Sequence, residues 1–242
     1  ISAFPLFAQA PAQDYTPVTA DRLKQPEDSD WLMVRRTYNG WGYSPLNQIN
    51  TRNVTRLQPA WVFSTGQTNG HEAAPIVNHG TMFVSTPGQQ VLALEAATGK
   101  ILWRYRHTLP QGVVLLHPTS RGVALYGDKV FFAAGDATLI ALNAKTGEEV
   151  WTKNVAENKN GYYMSLAPMI ADGKVIVGGA FSAFQEIPTS GTQTIPSPVT
   201  RRSLARIGTD GKLDPAYDPN ANGSVLALVL QPDGRLLVGG AF

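Results

Sequence analysis

The chain has 242 residues, of which 43% are hydrophobic and 16% charged, with a formal net charge of +2 and no cysteine. This length suits one all-β domain, and the lack of cysteine excludes disulfides and thiolate metal ligands. The small net charge without a Lys/Arg cluster argues against nucleic-acid binding, and no apolar stretch approaches the roughly 20 residues of a membrane-spanning helix.

The first thirteen residues, ISAFPLFAQAPAQ, have the character of the end of a signal peptide. An apolar stretch is followed by Ala8-Gln9-Ala10, which fits an A-x-A cleavage site. We therefore predict that residues 1–10 are a signal-peptide remnant and that the protein is exported or periplasmic. A disordered apolar arm is the alternative interpretation.

Two segments repeat with a spacing of 48 residues: VLALEAATGKILW (Val91–Trp103) and LIALNAKTGEEVW (Leu139–Trp151). Each predicts a strand, a turn and a second strand, because the Gly after Thr supplies the positive φ of a bulged hairpin turn. The runs TMFVST (Thr81–Thr86) and KVFFAA (Lys129–Ala134) predict a further strand before each segment, and KVIVGG (Lys174–Gly179) begins a third unit.

Short strands separated by turns and repeated every 40–50 residues are typical of a β-propeller. Such blades of about four strands stack radially, since one blade cannot bury both of its faces alone. We predict an all-β chain of the β-propeller type with about four blades. Helix is expected only as single turns near Ala20–Gln25 and Asn50–Leu57.

The composition changes after Phe181. Residues 185–200 are rich in Pro, Ser and Thr and predict an extended loop. The final stretch PDGRLLVGGAF (Pro232–Phe242) nearly repeats ADGKVIVGGAF (Ala171–Phe181), which lies 61 residues earlier, and no Thr-Gly turn followed by Trp accompanies it. The repeat unit is therefore predicted to change. A sheet that ends on an unpaired strand also predicts self-association through open blade edges.

The first part of the chain resembles the quinoprotein alcohol dehydrogenases, which are periplasmic eight-bladed propellers. The Ala93–Trp103 and Ala141–Trp151 segments match the tryptophan-docking motif of that family, in which a Trp from one blade packs against the next. SRGVALYGDKVFF (Ser120–Phe132) and GYYMSLAPMIADGKVIVG (Gly161–Gly178) resemble its early blades, and WGYSPLNQINTRNVTRLQPAW (Trp41–Trp61) resembles its lead-in. The resemblance covers about residues 11–178.

The remaining part, residues 179–242, is similar to the Delta-60 repeats of bacterial surface proteins. RRSLARIGTDGKLDPAYDP and the residues after it (Arg201–Phe242) match nearly one repeat unit. Together the two resemblances predict a hybrid, or chimera, joined near Gly178-Gly179.

The quinoprotein resemblance implies a cofactor site. Family members oxidise primary alcohols by hydride transfer to pyrroloquinoline quinone (PQQ), with a Ca²⁺ or lanthanide ion in the site and cytochrome c as electron acceptor. By motif position Arg121, Glu72 and Ser165 match family contacts to PQQ. An arginine fork is chemically suited to the carboxylates of PQQ.

Other family residues have no counterpart. Gly179-Ala180-Phe181 replaces the turn that leads to the metal-ligating glutamate, and Glu186 falls several residues too late. The catalytic aspartate of the family comes from later blades, and Leu115-Leu116 stands where the family often has adjacent cysteines. We therefore assign no catalytic or metal-ligating residue and expect the chain not to be catalytically competent alone.

Three interpretations follow from the sequence: an incomplete PQQ-dependent alcohol dehydrogenase, a non-catalytic propeller module of the bacterial surface that acts in binding or structure, or an artefactual or engineered fusion. The Asp-Gly turn at Asp210 and the turn at Asp136 are interpreted as hairpin turns rather than Ca²⁺ loops, and His71 as a structural residue.

Overall fold

The computed structural model describes residues 15–115, 117–156, 158, 161–179, 181, 201–231 and 233–242. The predicted signal-peptide remnant (1–10), the Pro/Ser/Thr-rich loop (185–200), Glu186 and Leu116 lie outside these residues.

Two antiparallel sheets of four strands carry the repeats of 48 residues, and in each sheet the strands lie in chain order. The first sheet consists of β1 (Ile76–Asn78), β2 (Thr81–Thr86), β3 (Gln90–Glu95) and β4 (Ile101–Arg106). The second consists of β5 (Val123–Tyr126), β6 (Lys129–Ala133), β7 (Thr138–Asn143) and β8 (Glu149–Asn154). The pairing register shifts at Ala93/Leu94 and again at Ala141/Leu142, which are the predicted bulges one repeat apart.

Two smaller sheets follow. The third has the order β11-β10-β9 and is built from β9 (Met169–Ala171), β10 (Lys174–Gly178) and β11 (Leu204–Ile207). The fourth is the hairpin of β12 (Val225–Leu230) and β13 (Leu236–Gly240). The strands and their grouping confirm the predicted all-β propeller class with an incomplete set of blades.

The similar sequences that begin at Ala171 and Pro232 have the same structural role. β10 and β13 are each the second strand of a hairpin, and the turns before them contain Gly173 and Gly234 with φ of 67° and 84°. The corresponding turns of the first two sheets contain Gly80 and Gly127, also at positive φ. The hairpin at the end of the described chain therefore repeats the opening hairpin of a blade.

Side chains alternate between two hydrophobic clusters along β10. Val175 and Val177 belong to the large cluster that joins the first three sheets. Ile176 belongs to a second cluster, which includes Val225 and Leu230 of β12. Because successive side chains of a strand point to opposite faces, one sheet links the quinoprotein-like blades to the last hairpin.

Tryptophan rings dock on the turns of the first two sheets, and Trp103 of β4 connects the two sheets as the motif predicts. Trp61 donates from Nε1 to the Ala96 carbonyl at 3.0 Å, and Trp103 donates to the Ala144 carbonyl at 2.9 Å. The ring of each Trp lies against a turn glycine: a Cβ added to Gly99 or Gly147 would be 2.5 or 2.6 Å from it. Glycine is thus required at these turns by its positive φ and by the close ring.

The same docking continues into the segment that resembles Delta-60 repeats. Trp151 donates from Nε1 to the Thr209 carbonyl at 2.9 Å, and a Cβ on Gly211 would come within 2.9 Å of its ring. This turn is one residue shorter than the other two. Here the Gly208 amide donates to the carbonyl of Lys212, four residues later, whereas the Glu95 and Asn143 amides donate to carbonyls five residues later. The Asp-Gly turn predicted to be only a hairpin therefore also receives a tryptophan.

The N-terminal segment contains a short helix and pairs with the sheets at two isolated β-bridges, Val18 with Gly127 and Trp31 with Val77. Helix α1 (Ala20–Lys24) begins at Thr19, whose hydroxyl accepts from the Arg22 backbone amide. Arg22 also forms an ion pair of 2.7 Å with Asp30, whose side chain is buried. A 3-10 turn at Val54–Arg56 occupies the second predicted helical position.

Strand β13 leads to a prediction about association. Among the described residues it pairs only with β12, and the exposed fractions of Leu226 and Leu237 in this hairpin are 77% and 54%. An unpaired edge beside exposed apolar side chains favours pairing with a second copy. We expect the molar mass measured by light scattering to rise with concentration, and Leu237→Lys to reduce that rise. A concentration-independent monomer would contradict the prediction.

Candidate functional site

The three residues predicted to contact a cofactor lie together, although 44 and 49 residues separate them in the chain. The Arg121 guanidinium forms an ion pair of 3.1 Å with the Glu72 carboxylate. Its other terminal nitrogen donates to the Ser165 hydroxyl, and the Arg121 backbone amide donates to the Ser165 carbonyl at 3.1 Å. The structure therefore unites the predicted residues in one cluster.

Propeller geometry explains this convergence. Glu72, Arg121 and Ser165 each lie two to four residues before the first strand of their sheet, namely β1, β5 and β9. Strand β5 lies between the other two sheets, since it contacts β9 of the third sheet and β2 of the first. The segments that enter successive blades consequently meet at one end of the stacked sheets, where ligand sites of propellers can draw on several blades.

The cluster remains accessible. The side chains of Arg121 and Glu72 are 51% and 45% exposed. An ion pair with this exposure contributes at most about 1 kcal/mol to stability. Fold stability alone therefore does not explain the arrangement, and the guanidinium can exchange its partner for a carboxylate of a ligand.

Buried hydrogen bonding fixes the segment that carries Arg121. The Ser120 hydroxyl donates to the Ser85 hydroxyl of β2 at 2.8 Å, and both side chains are buried. Beside them, the Thr119 hydroxyl is buried without a hydrogen-bond partner among the described residues. An unpaired buried hydroxyl suits an ordered water. The sequence alone did not identify Thr119 or Ser85, because nothing local marks them.

Within the described ranges there is no group of three or more His, Asp or Glu side chains arranged to hold a metal ion. His71 is held by its own loop, where its ring nitrogens bond Thr65 Oγ1 at 2.8 Å and the Asn69 carbonyl at 2.9 Å. As for the membrane, the described part of the chain contains no helix with the length and apolar character needed to cross one.

A second polar cluster, formed by Gln89, His107 and Asp136, connects the first two sheets by hydrogen bonds. His107 Nε2 lies 2.8 Å from an Asp136 carboxylate oxygen, and both side chains are largely buried. The Gln89 side-chain oxygen accepts from the Gly135 amide at 2.6 Å, and the Gln89 backbone carbonyl accepts from the His107 amide at 2.9 Å. The interpretation of Asp136 as an ordinary turn residue was therefore incomplete, since its partner lies 29 residues away.

Asp136 makes stability depend on pH. Burial disfavours its ionised form, but hydrogen bonds from His107 and Thr138 and the charge of His107 outweigh burial, so the pKa of Asp136 is lowered. A lowered folded-state pKa stabilises the fold above the unfolded pKa, and this stabilisation is lost as pH falls through the folded pKa.

We expect Asp136→Asn to reduce the free energy of unfolding by about 1–3 kcal/mol at pH 7 and to flatten its decline between pH 5 and pH 3. Urea unfolding across this range measures both effects. Asp210→Asn, at an exposed turn carboxylate, is the matched control. Parallel pH profiles for wild type and Asp136→Asn would overturn the assignment.

Comparison with known proteins places these observations in a family. Residues 31–194 match the profile of the glucose/ethanol/alcohol dehydrogenase beta-propeller domain, which is denoted PQQ. The match includes Glu72, Arg121 and Ser165.

Individual relatives agree with this match. The chain is 40% identical over 201 residues to the quinoprotein alcohol dehydrogenase PedH of Pseudomonas putida, an alignment that covers 78% of this chain and 34% of the relative. It is 45% identical over 136 residues to a quinoprotein ethanol dehydrogenase of Pseudomonas aeruginosa, covering 54% of this chain and 22% of the relative. The chain thus spans 34% and 22% of the length of these two relatives.

Among solved structures, a europium-containing methanol dehydrogenase superposes with a TM-score of 0.66 and 32% identity, over 80% of this chain and 32% of the other. The quinohemoprotein alcohol dehydrogenase ADHIIG of Pseudomonas putida superposes with a TM-score of 0.69 and 29% identity, over 88% and 31%.

Proposed function

The chain belongs to the beta-propeller family of glucose/ethanol/alcohol dehydrogenases, and from this membership we propose that it forms part of the PQQ site of an enzyme that oxidises primary alcohols. The observation that carries the proposal is the convergence of Arg121, Glu72 and Ser165 on one accessible cluster. The names of the relatives, which include methanol, ethanol and alcohol dehydrogenases, support the substrate class.

The residues of the cluster fit one side of such a cofactor. Arg121 would hold a carboxylate of PQQ through its planar fork, and Ser165 would donate or accept beside it. When bound, PQQ supplies the electron acceptor for hydride removed from the alcohol.

Turnover requires groups that the described residues do not bring to this cluster. The Lewis-acid metal of the resemblance needs oxygen ligands, and the described ranges hold no group of acidic and histidine side chains suited to it. We therefore propose that this chain binds PQQ but oxidises no alcohol without further sequence. Export to the periplasm and cytochrome c as electron acceptor remain proposals that rest on the resemblance.

A titration with PQQ tests the proposal. We expect saturable binding of PQQ, followed by absorbance or by quenching of tryptophan fluorescence, and no reduction of an artificial electron acceptor with ethanol, PQQ and Ca²⁺. Failure to bind PQQ would favour the alternative of a non-catalytic propeller module. The docking of Trp151 on Gly211 supports that alternative, because it attaches the segment that resembles Delta-60 repeats to the preceding sheet as a scaffold would. Alcohol oxidation by this chain would contradict the proposed incompleteness.

A further inference from the structure

An apolar cavity of about 320 Å³ lies apart from the cluster of Arg121, between the N-terminal segment, the strands β5 and β9, and β12. Its volume falls within the range of roughly 300–1,000 Å³ that small-molecule sites occupy. Representative wall residues are Leu32, Met33, Leu125, Met169, Leu228 and Val229.

The walls are suited to an unbranched hydrocarbon chain. They are predominantly aliphatic, and Met33 and Met169 contribute flexible thioethers that adapt to the shape of a ligand. Tyr38 also lines the cavity, and its hydroxyl donates to the Ile170 carbonyl at 2.7 Å. Burial raises the pKa of Tyr38, so the phenol remains neutral and its polar atom is already satisfied. The wall therefore offers a hydrocarbon chain little polar competition.

A positively charged side chain, Arg35, lies among the residues that line the cavity. Among the described residues that line the cavity, Arg35 is the only one with a charged side chain. Its side chain is exposed, and it forms no ion pair with any residue in the described ranges. Its alkyl stem lies against Gly42, where an added Cβ would be 3.4 Å from Arg35 Cδ. A cation beside an apolar cavity complements a ligand with an apolar tail and an anionic head.

We propose that this cavity binds a medium-chain carboxylate, with the alkyl chain between β5, β9 and β12 and the carboxylate on Arg35. The proposal does not depend on PQQ binding, since none of the lining residues belongs to the Arg121 cluster. The hairpin β12–β13 supplies one wall, so the site joins both parts of the chain.

Decanoate is the probe, compared by calorimetric titration with 1-decanol and decyltrimethylammonium. We expect decanoate to bind best and Arg35→Gln to weaken it about tenfold, because a charge-assisted hydrogen bond is lost. Arg52→Gln, at an exposed arginine outside the lining, should leave decanoate affinity unchanged.

A second pair of variants tests the wall. Val229→Asp places a carboxylate on the lining at a position 49% exposed, so the fold should tolerate it while decanoate is repelled. Leu226→Asp, on the same strand but outside the lining, is the control. Equal affinity for decanoate and 1-decanol, or insensitivity to both Arg35→Gln and Val229→Asp, overturns the proposal.

Two further measurements distinguish decanoate from a lipid headgroup and from a second copy of the chain as the ligand of this cavity. Binding to phosphatidylglycerol vesicles without binding to free decanoate would assign the surface to lipid headgroups and overturn the free carboxylate. A dimer in solution that Val229→Asp dissociates, without decanoate binding, would make the groove an interface between copies and also overturn it.

Discussion

Replacement of Arg121 by alanine is expected to weaken PQQ binding by about 10- to 100-fold. Hydrogen bonds to charged groups contribute about 1.5–3 kcal/mol, and every 1.4 kcal/mol corresponds to a factor of ten in affinity. The free energy of unfolding should change little, because the ion pair of Arg121 with Glu72 is half exposed. Titration of each variant with PQQ, together with its urea unfolding curve, measures both quantities.

Two further variants sharpen this prediction. Arg121→Lys keeps the charge but loses the planar fork, so its affinity should fall between those of wild type and Arg121→Ala. Arg56→Ala, at an exposed arginine of the 3-10 turn, is the control and should bind PQQ as wild type does. Unchanged affinity in Arg121→Ala would remove Arg121 from the PQQ site.

Replacement of Trp103 by alanine is expected to cost about 3–5 kcal/mol of folding free energy. The Trp103 side chain is 5% exposed, donates to the Ala144 carbonyl and lies against Gly147 and Phe83. Removal of the ring leaves a cavity between the first two sheets, in a fold whose total stability is of order 5–15 kcal/mol. Urea unfolding measures the loss. Trp41→Ala, at a ring 79% exposed, should change stability by less than about 0.5 kcal/mol.

The docking of Trp151 gives the matched comparison. Trp151 is only partly buried, so Trp151→Ala should cost less than Trp103→Ala, but it should specifically speed hydrogen exchange of the amides around Gly211. Exchange rates near Gly211 that do not change would mean that this contact does not join the two parts of the chain. If Trp151→Ala reduced the free energy of unfolding more than Trp103→Ala does, the contact with the third sheet, and not the contact between the first two sheets, would limit stability.

Local sequence signals predicted the strands well. β2 coincides with the predicted Thr81–Thr86, and β6 and β10 each end one residue before the predicted limit. These strands alternate or run apolar between turn glycines, so the signal lies within a few residues. The predicted helical turns near residues 20–25 and 50–57 are likewise confirmed.

Long-range pairing could not be predicted in this way. The turn that receives Trp151 lacks the Thr-Gly signature and is one residue shorter, so its role became visible only when the sheets were assembled. The pair of His107 and Asp136 likewise depends on how two blades stack. Glu72, Arg121 and Ser165 were recognised through family resemblance, because no composition or spacing rule connects three residues from separate loops.

The two-family origin of the chain remains a prediction. Comparison supports the quinoprotein part, with a profile match that extends to residue 194, while the similarity of residues 179–242 to Delta-60 repeats rests on the sequence alone. In the structure, Val225 of β12 contacts Gly178 of β10, where an added Cβ would be 2.7 Å from the valine side chain. The glycine at the predicted junction thus permits the close approach of the last hairpin.

A crystal structure of this chain grown with PQQ tests the account most directly. The account predicts a PQQ carboxylate within hydrogen-bonding distance of the Arg121 guanidinium, with Ser165 beside the cofactor and a longer distance between Arg121 and Glu72. PQQ bound elsewhere on the chain, or a saturated crystal in which Arg121 keeps only Glu72 and Ser165 as partners, would contradict it.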